Sequence, residues 1–152
     1  MKMAPNMNPK KVPIPEQSPE ERVKNFNEVA LGYTPEQAQE EASRCLQCKA
    51  RPCVEGCPVN VRIPEFVKKV AEGDFDGAYR ILVSENCLPA ICGRVCPQET
   101  QCESRCVRGK KGESVAIGRL ERFVADYAME KMSADAPRIE RNGIKVAVAG
   151  GG

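Results

Sequence analysis

Residues 18–140 should fold as an all-α domain. Helix-start signatures recur along this stretch, apolar residues fall at helical spacing, and no segment before residue 143 alternates in the manner of a strand. Residues 1–17 hold Pro5, Pro9, Pro13 and Pro15 among polar residues and form an extended lead segment. Ser18-Pro19-Glu20-Glu21 then places an N-cap Ser, a Pro at the first helical position and an acid at the capping-box position. Val23, Phe26 and Ala30 fall on one face of the helix it starts. Thr34-Pro35-Glu36-Gln37 repeats the signature, and its helix should carry Ala38, Ala42 and Cys45. A further helix runs through Pro64, Phe66, Val67, Val70 and Ala71 and stops at Gly73, and Asp74 caps another containing Phe75, Ala78, Ile81 and Leu82. The longest periodic run, Val115 to Met132, bears the stripe Ile117, Leu120, Val124, Tyr127 and Ala128. With 5% aromatic residues and no Trp, the core should be thin, and the helices should be held by metal centres rather than by a large core.

Residues 141–152 differ in character. Asn142-Gly143 is a turn, and Ile144 to Ala149 is a short β-branched run that leads into Gly150-Gly151-Gly152. A strand followed by glycines is how a dinucleotide-binding β–α unit begins, because glycines let the backbone approach a pyrophosphate. Gly150 and Gly152 would be the first two glycines of the G-x-G-x-x-G fingerprint. One apolar strand has nothing to pair with, so this stretch reads as the first strand of a truncated Rossmann-type, FAD/NAD(P)-binding domain.

Nine Cys dominate the composition, and there is no His, which excludes Cys/His zinc fingers, Rieske centres and His-ligated haem. The start of the chain has no apolar secretory core, and no run approaches the ~18 apolar residues of a membrane span. The chain therefore reads as a reduced, cytoplasmic protein whose thiols hold metal. Lys+Arg number 23 and Asp+Glu 21; a net charge of +2 argues against nucleic acid as a partner.

The first thiol group, Cys45, Cys48, Cys53 and Cys57, has the spacing C-x2-C-x4-C-x3-C-P. The second, Cys92, Cys96, Cys102 and Cys106, has C-x3-C-P-x4-C-x3-C. Bacterial ferredoxins use C-x2-C-x2-C-x3-C-P, in which the Cys before Pro ligates the other of two clusters. By that logic Cys45, Cys48 and Cys53 hold cluster one and Cys57 crosses to cluster two. The second group reciprocates, returning one thiol to cluster one and leaving one place of cluster two open. Zinc is the main competitor, but its structural sites usually pair two C-x2-C motifs, and the second group has none.

The segments RCLQCKARPCVEGCPV, LPAICGRVCPQETQCESRC and VAIGRLERFVADYA resemble the N-terminal domain of the NADPH-dependent glutamate synthase small (beta) subunit family. That domain type is shared with dihydropyrimidine dehydrogenase and with the large subunit of NADH-dependent ferredoxin:NADP oxidoreductase. The resemblance implies an α-helical ferredoxin fold with two 4Fe–4S clusters, preceding FAD- and NADPH-binding domains. Carried over by motif, it assigns Cys45, Cys48, Cys53 and Cys106 to cluster one. Cys57, Cys96 and Cys102 go to cluster two, whose fourth ligand is a side chain on the long helix. In dihydropyrimidine dehydrogenase that ligand is a Gln; the matching position here is Glu121. At helical spacing Glu121 lies beside Ile117, Val124 and Ala128, on the margin of the apolar stripe, with no Lys or Arg three or four residues away. Cys92 is the rival ligand by count alone, and the resemblance leaves it unligated. Cys87 lies outside every motif.

The expected function is electron transfer between a flavin in further C-terminal domains and a redox centre on a large catalytic or flavoprotein subunit, with no catalytic residue in this stretch. Arg94, Arg105, Arg108, Lys110 and Lys111 surround the second group, where some can offset the charge of thiolate-bound clusters. The competing function is a zinc-stapled helical docking domain without a redox role.

Overall fold

The computed structural model describes residues 5–131, 140 and 142–150. Among the described residues seven α-helices and one 3-10 turn follow in order: α1 Pro19–Arg22, α2 Pro35–Ser43, α3 Pro52–Glu55, α4 Ile63–Ala71, α5 Phe75–Val83, α6 Pro89–Val95, the 3-10 turn Val107–Lys110, and α7 Ile117–Lys131. Thr34 and Gln37 close a reciprocal capping box on α2. Asp74 caps α5 by accepting from Gly77 N–H. Among the described residues no helix is long and apolar enough to cross a membrane.

Three expectations need correction. The helix expected through Ala30 is a single turn, and Val23 and Phe26 are exposed. The Asn25 side chain donates to Glu21 O and accepts from Asn27 N–H, turning the backbone off its helical path. The segment then pairs with the lead segment instead, through Gln17 N–H to Val29 O, Leu31 N–H to Pro15 O and the isolated bridge Glu16–Ala30. α2 ends at Ser43, so Cys45 lies in the loop beyond it. Residues 144–148 form no strand, and among the described residues nothing pairs with them; Ile144, Val146 and Val148 are exposed.

The apolar core is continuous. Ala38 and Ala42 of α2, Phe66, Val67 and Val70 of α4, Ala78 and Leu82 of α5 and Leu120 and Val124 of α7 are all buried in one cluster. Small residues suffice because the helices are short and close. Phe75 packs edge-on against both Phe123 and Tyr127, each at a centroid distance of 5.0 Å.

The lead segment is laced to this core by a buried ion pair. Glu41 and Arg44, one turn apart at the end of α2, are 0% exposed and meet at 2.6 Å. Glu41 also accepts from Val12 N–H and Ala116 N–H, while Arg44 donates to the carbonyls of Asn8, Ser114 and Glu113. The charges are thus fully hydrogen-bonded, as burial demands. Val12 is buried, and Tyr33 Oη donates to its carbonyl at 2.6 Å. At the other end of the domain α6 crosses α7 with no room between them. A Cβ on Gly93 would lie 2.6 Å from Arg122 N and 2.8 Å from its Cα.

Candidate metal centre

The first thiol pocket is built by two loops. After α2 the chain passes Cys45 and Cys48 and enters α3, which carries Cys53. Gln47 (φ 51°) and Arg51 (φ 48°) are left-handed without being glycine, a costly conformation that folds the loop back on itself. Cys106, just ahead of the 3-10 turn, returns to this loop from the second group. Cys45, Cys48, Cys53 and Cys106 line one pocket, and Leu46, Pro52, Pro64, Val107 and Val115 supply its apolar walls. Burial, then repulsion from Cys106 and Cys48, pushes the Cys45 thiol up to about 11, against backbone and side-chain bonds from Gln47. Burial and repulsion from Cys45 and Cys106 push Cys53 up to about 12. Gln47 Nε2 points at Cys45 Sγ (3.4 Å) and Val115 N–H at Cys106 Sγ (3.5 Å). Arg108, also on the wall, has a buried Nε–H with no hydrogen-bond partner among the described residues.

The second site draws on more elements. Gly56 packs so tightly on the second group that a Cβ would lie 2.8 Å from Gln101 O and 2.9 Å from Arg105 Cγ. This close approach sets Cys57 beside Cys96 and Cys102. Burial first, then Cys92, Glu121 and Cys57, push Cys96 up to about 11. Burial first, then the charges of Glu103, Cys57 and Glu121, push Cys102 up to about 12. Glu121 reaches the same place from α7; burial pushes its carboxyl up to about 7, opposed by a hydrogen bond from Asn86 Nδ2 at 2.8 Å. Cys92 also stands here, half-buried on α6, with Sγ 3.6 Å from Asn86 Oδ1.

The donor chemistry of both places fits iron–sulfur clusters. Each gathers thiols side by side, and burial makes Cys45 and Cys53 at the first and Cys96 and Cys102 at the second resist ionisation. At the first site the N–H groups aimed at sulfur and the orphaned Arg108 Nε–H are donors of the kind that cluster sulfurs accept from. Among the described residues no three Cys, Asp or Glu side chains gather closely enough for a single metal ion.

Residues 22–133, most of the chain, match the family described as dihydropyrimidine dehydrogenase domain II, 4Fe–4S cluster. The chain belongs to this family. It is a 4Fe–4S electron-transfer domain related to glutamate synthase small chains and to dihydropyrimidine dehydrogenase subunits. The glutamate synthase (NADPH) small chain of Azospirillum brasilense is 38% identical over 112 residues, covering 73% of this chain and 23% of that protein. The NAD-dependent dihydropyrimidine dehydrogenase subunit PreT of Escherichia coli O157:H7 is 38% identical over 128 residues, 84% of this chain and 31% of that one. The putative oxidoreductase AegA of Escherichia coli (strain K12) is 37% identical over 135 residues, 88% and 20%. The chain thus spans between a fifth and a third of the length of these relatives.

In this 4Fe–4S domain the structure brings Cys45, Cys48, Cys53 and Cys106 to one pocket, and Cys57, Cys96 and Cys102 to Glu121. Cys87 is exposed and apart. Gly150 is exposed at a turn, and Gly152 lies outside the described residues. Arg94 does not face the second site, being held by Glu28 and Asp126 through four bonds of 2.6–3.1 Å. Arg108 serves the first pocket rather than the second. Sequence reasoning missed Asn86 and the Glu41–Arg44 pair. The local bond of Asn86, from Leu88 N–H, marks only a turn, and its partners at the site, Glu121 and Cys92, lie 35 and six residues away. The i,i+3 spacing of Glu41 and Arg44 beside Cys45 was visible, but surface pairs share it.

Proposed function

We propose that the chain is an electron-relay module with two 4Fe–4S clusters. Cys45, Cys48, Cys53 and Cys106 hold the first; Cys57, Cys96, Cys102 and Glu121 hold the second. The observation that carries this reading is the convergence of four thiols from two distant loops on one apolar-walled pocket, with a second thiol set beside it. When bound, each cluster takes up and releases one electron at a time. The side chains do the rest. Leu46, Pro64 and Val115 keep water from the first set of sulfurs. The N–H groups of Val115 and Gln47 and the Arg108 guanidinium stabilise added negative charge there. At the second site a harder carboxylate replaces one thiolate, so the two potentials should differ.

The module would serve the flavoprotein subunit of an NADPH-dependent oxidoreductase of the glutamate synthase small-subunit type. It would pass electrons between FAD in the rest of that protein and a redox centre on a large subunit, in the cytoplasm. Gly150, Gly152 and the exposed row Ile144, Val146 and Val148, spaced two apart, support a Rossmann-type strand that awaits partners. The test is iron, zinc and acid-labile sulfide per chain after anaerobic preparation. About eight iron and eight sulfide are expected; about two zinc without sulfide would make this a structural docking domain.

A further inference from the structure

Asn86 is buried between α5 and α6, and its amide makes three contacts of fixed polarity. Leu88 N–H donates to Oδ1 at 3.0 Å. A backbone N–H can only donate, so this bond determines which end of the amide is oxygen. Nδ2 therefore faces Glu121 Oε1, at 2.8 Å, as a donor. Cys92 Sγ, 3.6 Å from Oδ1, must then be the donor of its pair, as S–H. One amide thus offers a donor to Glu121 and an acceptor to Cys92. An anionic carboxylate is favoured by the first and a protonated thiol by the second.

We propose that Asn86 selects the fourth ligand of the second cluster: it holds the Glu121 carboxylate beside Cys57, Cys96 and Cys102 and keeps Cys92 out by tying its sulfur as S–H. The inference rests on the reading of this site as a cluster site. Asn86 is a positioning residue, acting through Glu121 and Cys92. Removing its amide frees both. Cys92 then displaces Glu121: the carboxylate–iron bond gives way to a thiolate–iron bond, the S–H proton leaves with the carboxylate, and no electron changes hands.

The experiment compares the full chain, reconstituted anaerobically with iron and sulfide, as the unaltered protein, Asn86→Ala, Cys92→Ala and the double variant. Readouts are iron content, midpoint potential of each cluster, and alkylatable thiols with clusters bound. Nine Cys less seven ligands leaves two free thiols, Cys87 and Cys92, in the unaltered protein. Asn86→Ala should keep both clusters, drop the free-thiol count from two to one, and move only the second potential. Cys92→Ala alone should move neither potential, and added to Asn86→Ala it should abolish the ligand switch. Two free thiols in Asn86→Ala, or a second potential in Asn86→Ala equal to that of the double variant, overturns the proposal, because Cys92 has then not entered the cluster. Should Asn86→Ala fail to fold, Asn86→Asp keeps the acceptor for Leu88 and Cys92 and replaces the donor to Glu121 with an acceptor oxygen that repels its carboxylate. It should disturb the second cluster while both thiols stay free, and a second cluster like the unaltered one would overturn the proposal. Unaltered protein with only one cluster defeats the two-cluster reading itself; variant results on a two-cluster protein bear on Asn86 alone.

Discussion

The two thiol sites are built on different principles. The first takes three of its four thiols from one nine-residue stretch, Cys45 to Cys53, folded by left-handed Gln47 and Arg51. Only Cys106 comes from afar. The second takes Cys57 from beyond α3, Cys96 from the end of α6, Cys102 from the loop after it, and Glu121 from α7. One is a loop closed on itself; the other exists only when α6 and α7 are packed. A local site should survive disturbance of the helix pair, and an assembled one should not. The second is also where the donor set departs from all-thiol and where a buried amide arbitrates between two candidate ligands.

Three changes can break or sharpen this contrast. Glu41→Ala should have the largest effect, since it leaves the Arg44 guanidinium buried without its carboxylate, a loss of about 3–5 kcal/mol. Arg44 adjoins Cys45, and Ala116 adjoins Val115, whose N–H meets Cys106, so the first pocket should lose its iron before the second. Urea unfolding and iron content against denaturant check this; simultaneous loss from both sites would show a single cooperative unit. Gly93→Ala comes next. Its Cβ meets backbone atoms of α7, which cannot yield as a side chain would, and overpacking of this kind costs about 1–3 kcal/mol. The helices carrying Cys96 and Glu121 separate, so iron should fall from about eight to about four with the first cluster's spectrum intact.

The smallest effect belongs to the cluster-free protein. Glu121 binds its proton more tightly folded, at about 7, than unfolded, at 4.5. Stability from that proton is complete below pH 4.5 and is lost as pH rises through 7. Glu121→Gln should remove this slope in thermal melts. The raised thiols of both sites add a further fall above pH 9, where Cys45, Cys53, Cys96 and Cys102 ionise more readily unfolded than folded. The step below pH 7 belongs to the second site alone.

Much of this was legible in the chain. Thr34 with Gln37, Asp74 with Gly77 and the Ile117–Ala128 stripe announced their helices because capping and amphipathicity act within a few residues. The Cys spacing announced metal for the same reason. The Ser18 signature was equally good, yet its helix stops after one turn, because residues 29–31 pair with the lead segment. Residues 144–148 have strand character and no strand, since a strand needs a neighbour. Spacing put Glu121 on the margin of a stripe and the resemblance set it with Cys57, Cys96 and Cys102, but neither placed the Asn86 amide beside it.

Local chemistry, then, was determined by the sequence itself: which residues cap, which spacing lets neighbouring thiols fold toward one point, which face of α7 turns inward. Tertiary structure alone decided that Gly56 and Gly93 let backbones meet closely enough to assemble the second site, and that Asn86 stands between Glu121 and Cys92. The division follows from range. Capping and periodicity are set by bonds a few residues apart, whereas a polar group's partner across 35 residues is set only by how the helices pack.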